Sequence, residues 1–98
     1  MRVIHKFALP EGHDGICDIP MPLEFLILRV DAQHGRPVVW IMLDPDEKKV
    51  WRVRIYSRAT GGTMPSGPGG KYIGTAICDD GALVWHYFSR WFEIEEAP

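Results

Sequence analysis

The stretch Lys49-Val50-Trp51-Arg52-Val53-Arg54-Ile55-Tyr56-Ser57 gives the clearest reading of how the chain folds. Trp51, Val53 and Ile55 alternate with Arg52, Arg54 and Tyr56. A period of two separates an apolar from a polar face only in an extended strand. Upstream, Asp44-Pro45-Asp46-Glu47 is a turn: proline presets φ at its second position and the aspartate before it can accept a backbone N–H. Pro37 to Leu43 is apolar at nearly every position, which predicts a central strand covered on both sides. Gln33-His34-Gly35-Arg36 is a second turn. Before it, Glu24 to Ala32 reads as a strand with Leu26, Leu28 and Val30 on one face and Phe25, Ile27 and Arg29 on the other.

Further out, Val3 to Ala8 reads as a first strand. Ile16 to Ile19 reads as a short edge or irregular strand, because Pro20 and Pro22 cannot donate to a ladder. Downstream, Tyr72 to Cys78 is a strand, Asp79-Asp80-Gly81 a tight hairpin signal, and Ala82 to Phe92 a long last strand. In it Leu83, Trp85 and Tyr87 oppose Val84, His86 and Phe88. Six or seven strands joined mostly by short turns predict an all-β fold, a small antiparallel barrel or sandwich. The expected organisation is one β domain over residues 1–92 and an acidic tail over residues 93–98.

Composition agrees with a single globular unit. The chain has 98 residues, 46% of them apolar and 24% charged, close to ordinary globular usage. A domain of this size buries roughly 60–65% of its unfolded surface, so a partner subunit would add to a modest core. The formal net charge of −2 excludes a polybasic membrane or nucleic-acid glue but leaves room for a local basic patch. The longest apolar run, Val38 to Leu43, is far short of the roughly 18 residues of a membrane helix. Nor do the first residues carry a signal-peptide core. The expectation is therefore a cytoplasmic protein without membrane contact. Cys17 and Cys78, distant in sequence, could form one disulfide but read first as reduced thiols of a cytosolic chain.

One connection breaks the rhythm. Ala59 to Gly70, ATGGTMPSGPGG, contains five glycines and two prolines in twelve residues, longer than most strand connections. Successive amides of such a loop can form a nest for an anion. Thr60 and Thr63 add hydroxyls to Gly61 and Gly62. Lys48, Lys49, Arg52, Arg54 and Arg58, five of the eleven basic residues, enter the loop. Arg52 and Arg54 share a strand face, where each can meet a phosphate. Tyr56, on that face, and Tyr72, just beyond the loop, are the aromatic residues best placed to stack on a base; Trp51 and Trp85 fall on the core side. The bland reading of the same residues is a solvated basic strand beside a hairpin loop.

Other chemistries are poorly represented. His13 and Cys17 lack a second ligand pair at zinc spacing. Asp44, Asp46 and Glu47 lack the length and closing glutamate of a calcium loop. No serine sits in a nucleophile elbow. The expectation is a protein without catalytic residues, metal or cofactor.

Four motifs together resemble a family of small proteins encoded by phages and prophages. Trp40-Ile41-Met42-Leu43-Asp44-Pro45 is similar to its W-x-x-x-D-P strand-turn. Ala59 to Pro65 is similar to a G-T-G-H-x-I-P loop, with Ala59 and Gly62 departing from it. Tyr72-Ile73-Gly74-Thr75 and Gly81-Ala82-Leu83-Val84-Trp85-His86 resemble Y-V-G-T and G-A-L-V-W-H. The resemblance implies a phage-type protein in the host cytosol, of a size that often acts by stoichiometric binding. Residue chemistry and resemblance together lead to a non-enzymatic, homo-oligomeric protein that sequesters a small phosphorylated ligand, such as a cyclic nucleotide signal of anti-phage defence, and no long nucleic acid. Its ligand residues would be Arg52, Arg54, Tyr56, Thr60, Gly61, Gly62, Thr63 and Tyr72. The alternatives are a protein-binding inhibitor of a host complex and, third, a nucleotide hydrolase.

Overall fold

A computed structural model describes residues 1–64 and 70–94. The chain forms seven strands: β1 (Val3–Ala8), β2 (Ile16–Pro22), β3 (Phe25–Gln33), β4 (Arg36–Leu43), β5 (Lys49–Ala59), β6 (Lys71–Cys78) and β7 (Leu83–Glu93). They make two antiparallel sheets, β1-β4-β3 and β2-β5-β7-β6. The apolar faces of the two sheets meet in one core. Val39, Ile41 and Leu43 of β4 and Val30 of β3 pack with Val53 and Ile55 of β5, Ile19 and Met21 of β2, and Tyr87 of β7. Of the two expected architectures, the open two-sheet packing is the one formed. The sheets are in close contact at Gly74 in β6, where a Cβ would lie 2.6 Å from Cβ of Val30.

Two hairpins follow from local sequence. His34 (φ 53°) and Gly35 (φ 77°) turn β3 into β4, and Asp80 (φ 50°) and Gly81 (φ 95°) turn β6 into β7. Positive φ at both central residues matches the twist of the flanking strands, and His, Asp and Gly tolerate it better than branched residues. The Ala82 N–H closes the second turn on the Asp79 carbonyl.

Several expectations change. The Glu24–Ala32 strand does not keep one parity. A bulge between Ile27 and Arg29 inserts Leu28 opposite β4, so Phe25 and Ile27 turn to the core on one side of it and Val30 on the other. Leu26 and Leu28 are left 54% and 43% exposed. β4 is fully covered on its core face and partly on the other, where Val38 is buried and Trp40 and Met42 are half-buried. β2 runs on to Pro22 as an edge strand with a register shift between Met21 and Pro22. Pairing also passes the expected domain boundary at residue 92, since β7 reaches Glu93 and the Ile94 N–H donates to the Val50 carbonyl. The rest of the acidic tail, residues 95–98, lies outside the described residues, as do residues 65–69 of the glycine-rich loop.

Cys17 and Cys78 are free thiols. Burial is the first cause that pushes both thiols above their ordinary value, which keeps them protonated and unreactive at neutral pH.

Candidate functional site

The alternation of β5 places Arg52, Arg54, Tyr56 and Arg58 on the outer face of the four-stranded sheet. Strand register then fixes their neighbours. Arg52 lies between Pro20 and Phe92, Arg54 between Asp18 and Arg90, Tyr56 between Ile16 and Phe88, and Arg58 beside His86. On the far side of β7, Tyr72 faces Phe88 and Thr75 faces His86. Four arginines thus interleave with four aromatic rings on one sheet surface, and Asp18 is the one carboxylate among the described strand positions of that face.

At one end three guanidinium groups converge on a single ring. The Cζ atoms of Arg52, Arg54 and Arg90 stand 5.4, 5.3 and 5.8 Å from the Phe92 centroid, within cation–π range. Arg54 donates to both carboxylate oxygens of Asp18, from Nε at 2.8 Å and Nη2 at 3.0 Å; Arg52 Nε is 3.8 Å from the same carboxylate. The Arg54 hydrogen bond is the first cause holding the Asp18 carboxyl below its ordinary value. Arg90 is exposed and has no ion pair among the described residues. The three cations have one directly paired carboxylate between them, Asp18, beside a groove of about 780 Å³ lined by Asp18, Pro20, Arg52, Phe92, Glu93 and Ile94. Guanidiniums that repel one another around a ring gain most from a second anion.

The other end is built of hydroxyls. Tyr72 OH lies 2.6 Å from Thr75 Oγ1, which lies 3.0 Å from His86 Nδ1; His86 Nε2 lies 2.7 Å from Thr60 Oγ1. This chain ties the start of the glycine-rich loop to β6 and β7. Arg58 sits 5.6 Å from the Tyr56 centroid and pairs with Asp14 at 3.0 Å. Gly61 has a φ of 80°, and the Gly62 N–H is given to the Ala59 carbonyl, so that amide is already used within the turn. Gly62 lies so close to the imidazole of His13 that a Cβ there would collide with the ring. His13 Nδ1 in turn accepts the Ala59 N–H at 3.2 Å. His13, read as a weak metal ligand, is thus a brace for the loop stem.

The expected ligand residues therefore share one face but not one pocket. Arg52, Arg54 and Tyr56 lie together, and Tyr72 lies across β7 from Tyr56. Thr60, Gly61, Gly62 and Thr63 lie beyond the opposite end of β5. Eight residues of strand, roughly 26 Å, separate Arg52 from Thr60. Sequence reading missed Arg90, Phe92 and Asp18. The period-two pattern that placed His86 and Phe88 outward carries on to Arg90 and Phe92, so that signal was present. Asp18 is different, because its place beside Arg54 depends on the pairing of two distant strands.

Among the described residues there is no group of three His, Cys, Asp or Glu side chains close enough to hold a metal ion, and no helix is long and apolar enough to cross a membrane. No curated protein and no solved structure matches the chain. A family model does, over residues 1–98, and by that match the chain belongs to the domain of unknown function DUF7352.

Proposed function

We propose that this protein binds, without cleaving, a small phosphorylated ligand at the Phe92 end of the four-stranded sheet. The observation that carries the reading is the set of three guanidinium groups that converge on Phe92, two of them sharing Asp18, beside an open groove. Arginine forks match phosphate oxygens two at a time, and the neighbouring rings offer a surface for a base. A second copy laid over the groove would enclose it, which is the basis for a homo-oligomer. The motif resemblance to phage and prophage proteins supplies the setting: a cytosolic sponge for a nucleotide signal of host defence.

Calorimetric titration of the intact chain with a panel of cyclic di- and trinucleotides tests the proposal. Saturable binding is expected, with the ligand recovered whole after incubation with divalent metal and heat denaturation. Flat titrations across the panel count against it, and cleaved nucleotide points to a hydrolase instead.

A second reading has its own observation. The outer face of the three-stranded sheet exposes Ile4, Leu26 and Leu28 by 58%, 54% and 43%, a surface of the kind that docks on another protein. A stoichiometric host protein retained on the immobilised chain, and unmoved by added nucleotides, would favour an inhibitor of a host complex.

A further inference from the structure

We infer that the outer face of the four-stranded sheet is a track for a short single strand of nucleic acid, of about three to six nucleotides. The inference rests on the anion-binding reading above and names the ligand class that the whole face fits.

The cationic and aromatic groups are not gathered at one end. They repeat along β5 and β7. Arg52 and Phe92 come first, then Arg54 and Arg90, then Tyr56 and Phe88, then Arg58 and His86. From Arg52 to Arg58 is six strand residues, roughly 20 Å. A nucleotide advances ~3.4 Å when stacked and further when extended, so a mononucleotide reaches one pair of these groups and several linked nucleotides reach them all. Phe88 and Phe92 are four residues apart on the same face of β7, roughly 13 Å. Arg90 lies between them along the strand, exposed and without an ion pair among the described residues, its Cζ 5.8 Å from the Phe92 centroid. The phosphates of a strand that runs from one ring to the other, two or more nucleotide steps, pass over it. Across three strands, Tyr56, Phe88 and Tyr72 form a continuous aromatic row, with Tyr72 set edge-on to Phe88 at 5.7 Å and 64°. A simple anion needs the arginines and not the row of rings. A stacked, phosphate-linked strand uses both, and every base has a face to stack.

Charge supports the same occupant. The protein as a whole carries a formal −2, yet this face gathers four arginines: Arg58 pairs with Asp14, Arg52 and Arg54 share Asp18, and Arg90 has no ion pair among the described residues. The patch is local and about one short strand long, consistent with the exclusion of a polybasic glue.

The test is fluorescence anisotropy with the intact chain at near-physiological salt. The probes are end-labelled oligothymidylates and oligouridylates about two, four and eight nucleotides long, with unlabelled polyglutamate as competitor. Affinity is expected to rise at least about tenfold from the shortest to the longest probe; a preference for the thymidylate or uridylate series identifies DNA or RNA as the source. Phe88→Ala should weaken the longest probe roughly fivefold to a hundredfold. Arg90→Glu, at an exposed position, gives the same direction without touching the core should Phe88→Ala fail to fold. Binding independent of length, with cyclic dinucleotides still captured, overturns the track and leaves the small-ligand reading standing. No binding of oligonucleotide or cyclic nucleotide ends both. Polyglutamate competing as well as the longest oligonucleotide reduces the face to a merely basic surface and overturns the inference.

Discussion

The two outer faces of this molecule rest on the same core and obey the same alternation, yet their chemistry is opposite. On the three-stranded sheet the outer face is aliphatic, with Ile4, Leu26 and Leu28 exposed around Trp40 and Met42. Two of its arginines are ion-paired, Arg29 to Asp31 from Nη2 at 2.6 Å and Arg2 to Glu24 at 3.0 Å, while Lys6 donates to the neutral Gln33 amide at 2.6 Å; these cations stand apart from one another. On the four-stranded sheet the cations converge: Arg52 and Arg54 share Asp18, and Arg90 joins them around one phenyl ring. A core fixes which residues point inward and leaves the outward ones open to selection. Convergence of like charge is therefore a better guide to a ligand than exposure alone.

The comparison can be broken from beneath. Ile55, fully buried, lies under the arginine face and packs in the core shared by both sheets. Ile55→Ala should cost about 2–5 kcal/mol, a large share of a small domain's stability, and a urea titration should show both faces lost in one transition. A smaller loss, with a separate transition for each sheet, would mean that the faces do not share a core. Next in size is Gly74→Ala, where the added methyl must push on Val30 across the sheets. Overpacking of this kind costs about 1–3 kcal/mol, read from the same titration. An unchanged midpoint would show that the close approach is easily relieved.

Ligand measurements sharpen the difference between the faces. Arg54→Ala should weaken phosphate capture at least about tenfold with little change in thermal unfolding, since an exposed ion pair contributes little. Leu26→Lys, on the opposite face, should leave capture unchanged; a shared loss would place the ligand elsewhere. Asp18→Asn should act in the other direction. It removes the internal anion that occupies Arg54 and attracts Arg52, so affinity should rise, and a calorimetric fall would show that Asp18 positions the arginines instead. The smallest effect concerns pH. Arg54 holds the Asp18 carboxyl below its ordinary value, so the stability it adds is present above about pH 4 and fades as pH falls through the lowered folded value. Wild type and Asp18→Asn should therefore converge in acid melting curves.

Much of this was readable in the chain. The β5 alternation, the His34-Gly35 and Asp80-Gly81 turns and the inward set of β7 all depend on neighbours one or two residues apart. The bulge at Leu28 is a different matter. It exchanges the faces of β3 because pairing with β4 is worth more than unbroken parity, and nothing within Phe25 to Val30 announces it. The site shows the same division. That Arg52, Arg54 and Tyr56 share a face is local information. That Asp18 neutralises part of it, and that Thr60 lies a strand's length from Arg52, are consequences of register and distance. A pocket joining loop and arginines is natural to a one-dimensional reading, whereas the fold lays the same residues out along a surface.

The most direct test is to follow backbone amide chemical shifts of the intact chain while titrating a cyclic trinucleotide and an oligothymidylate of about eight residues. The account predicts perturbations concentrated at Arg52 to Arg58 and His86 to Phe92, with the amides of Leu26, Leu28 and Met42 unmoved. Perturbations gathered on the aliphatic face, or none at either, would contradict it.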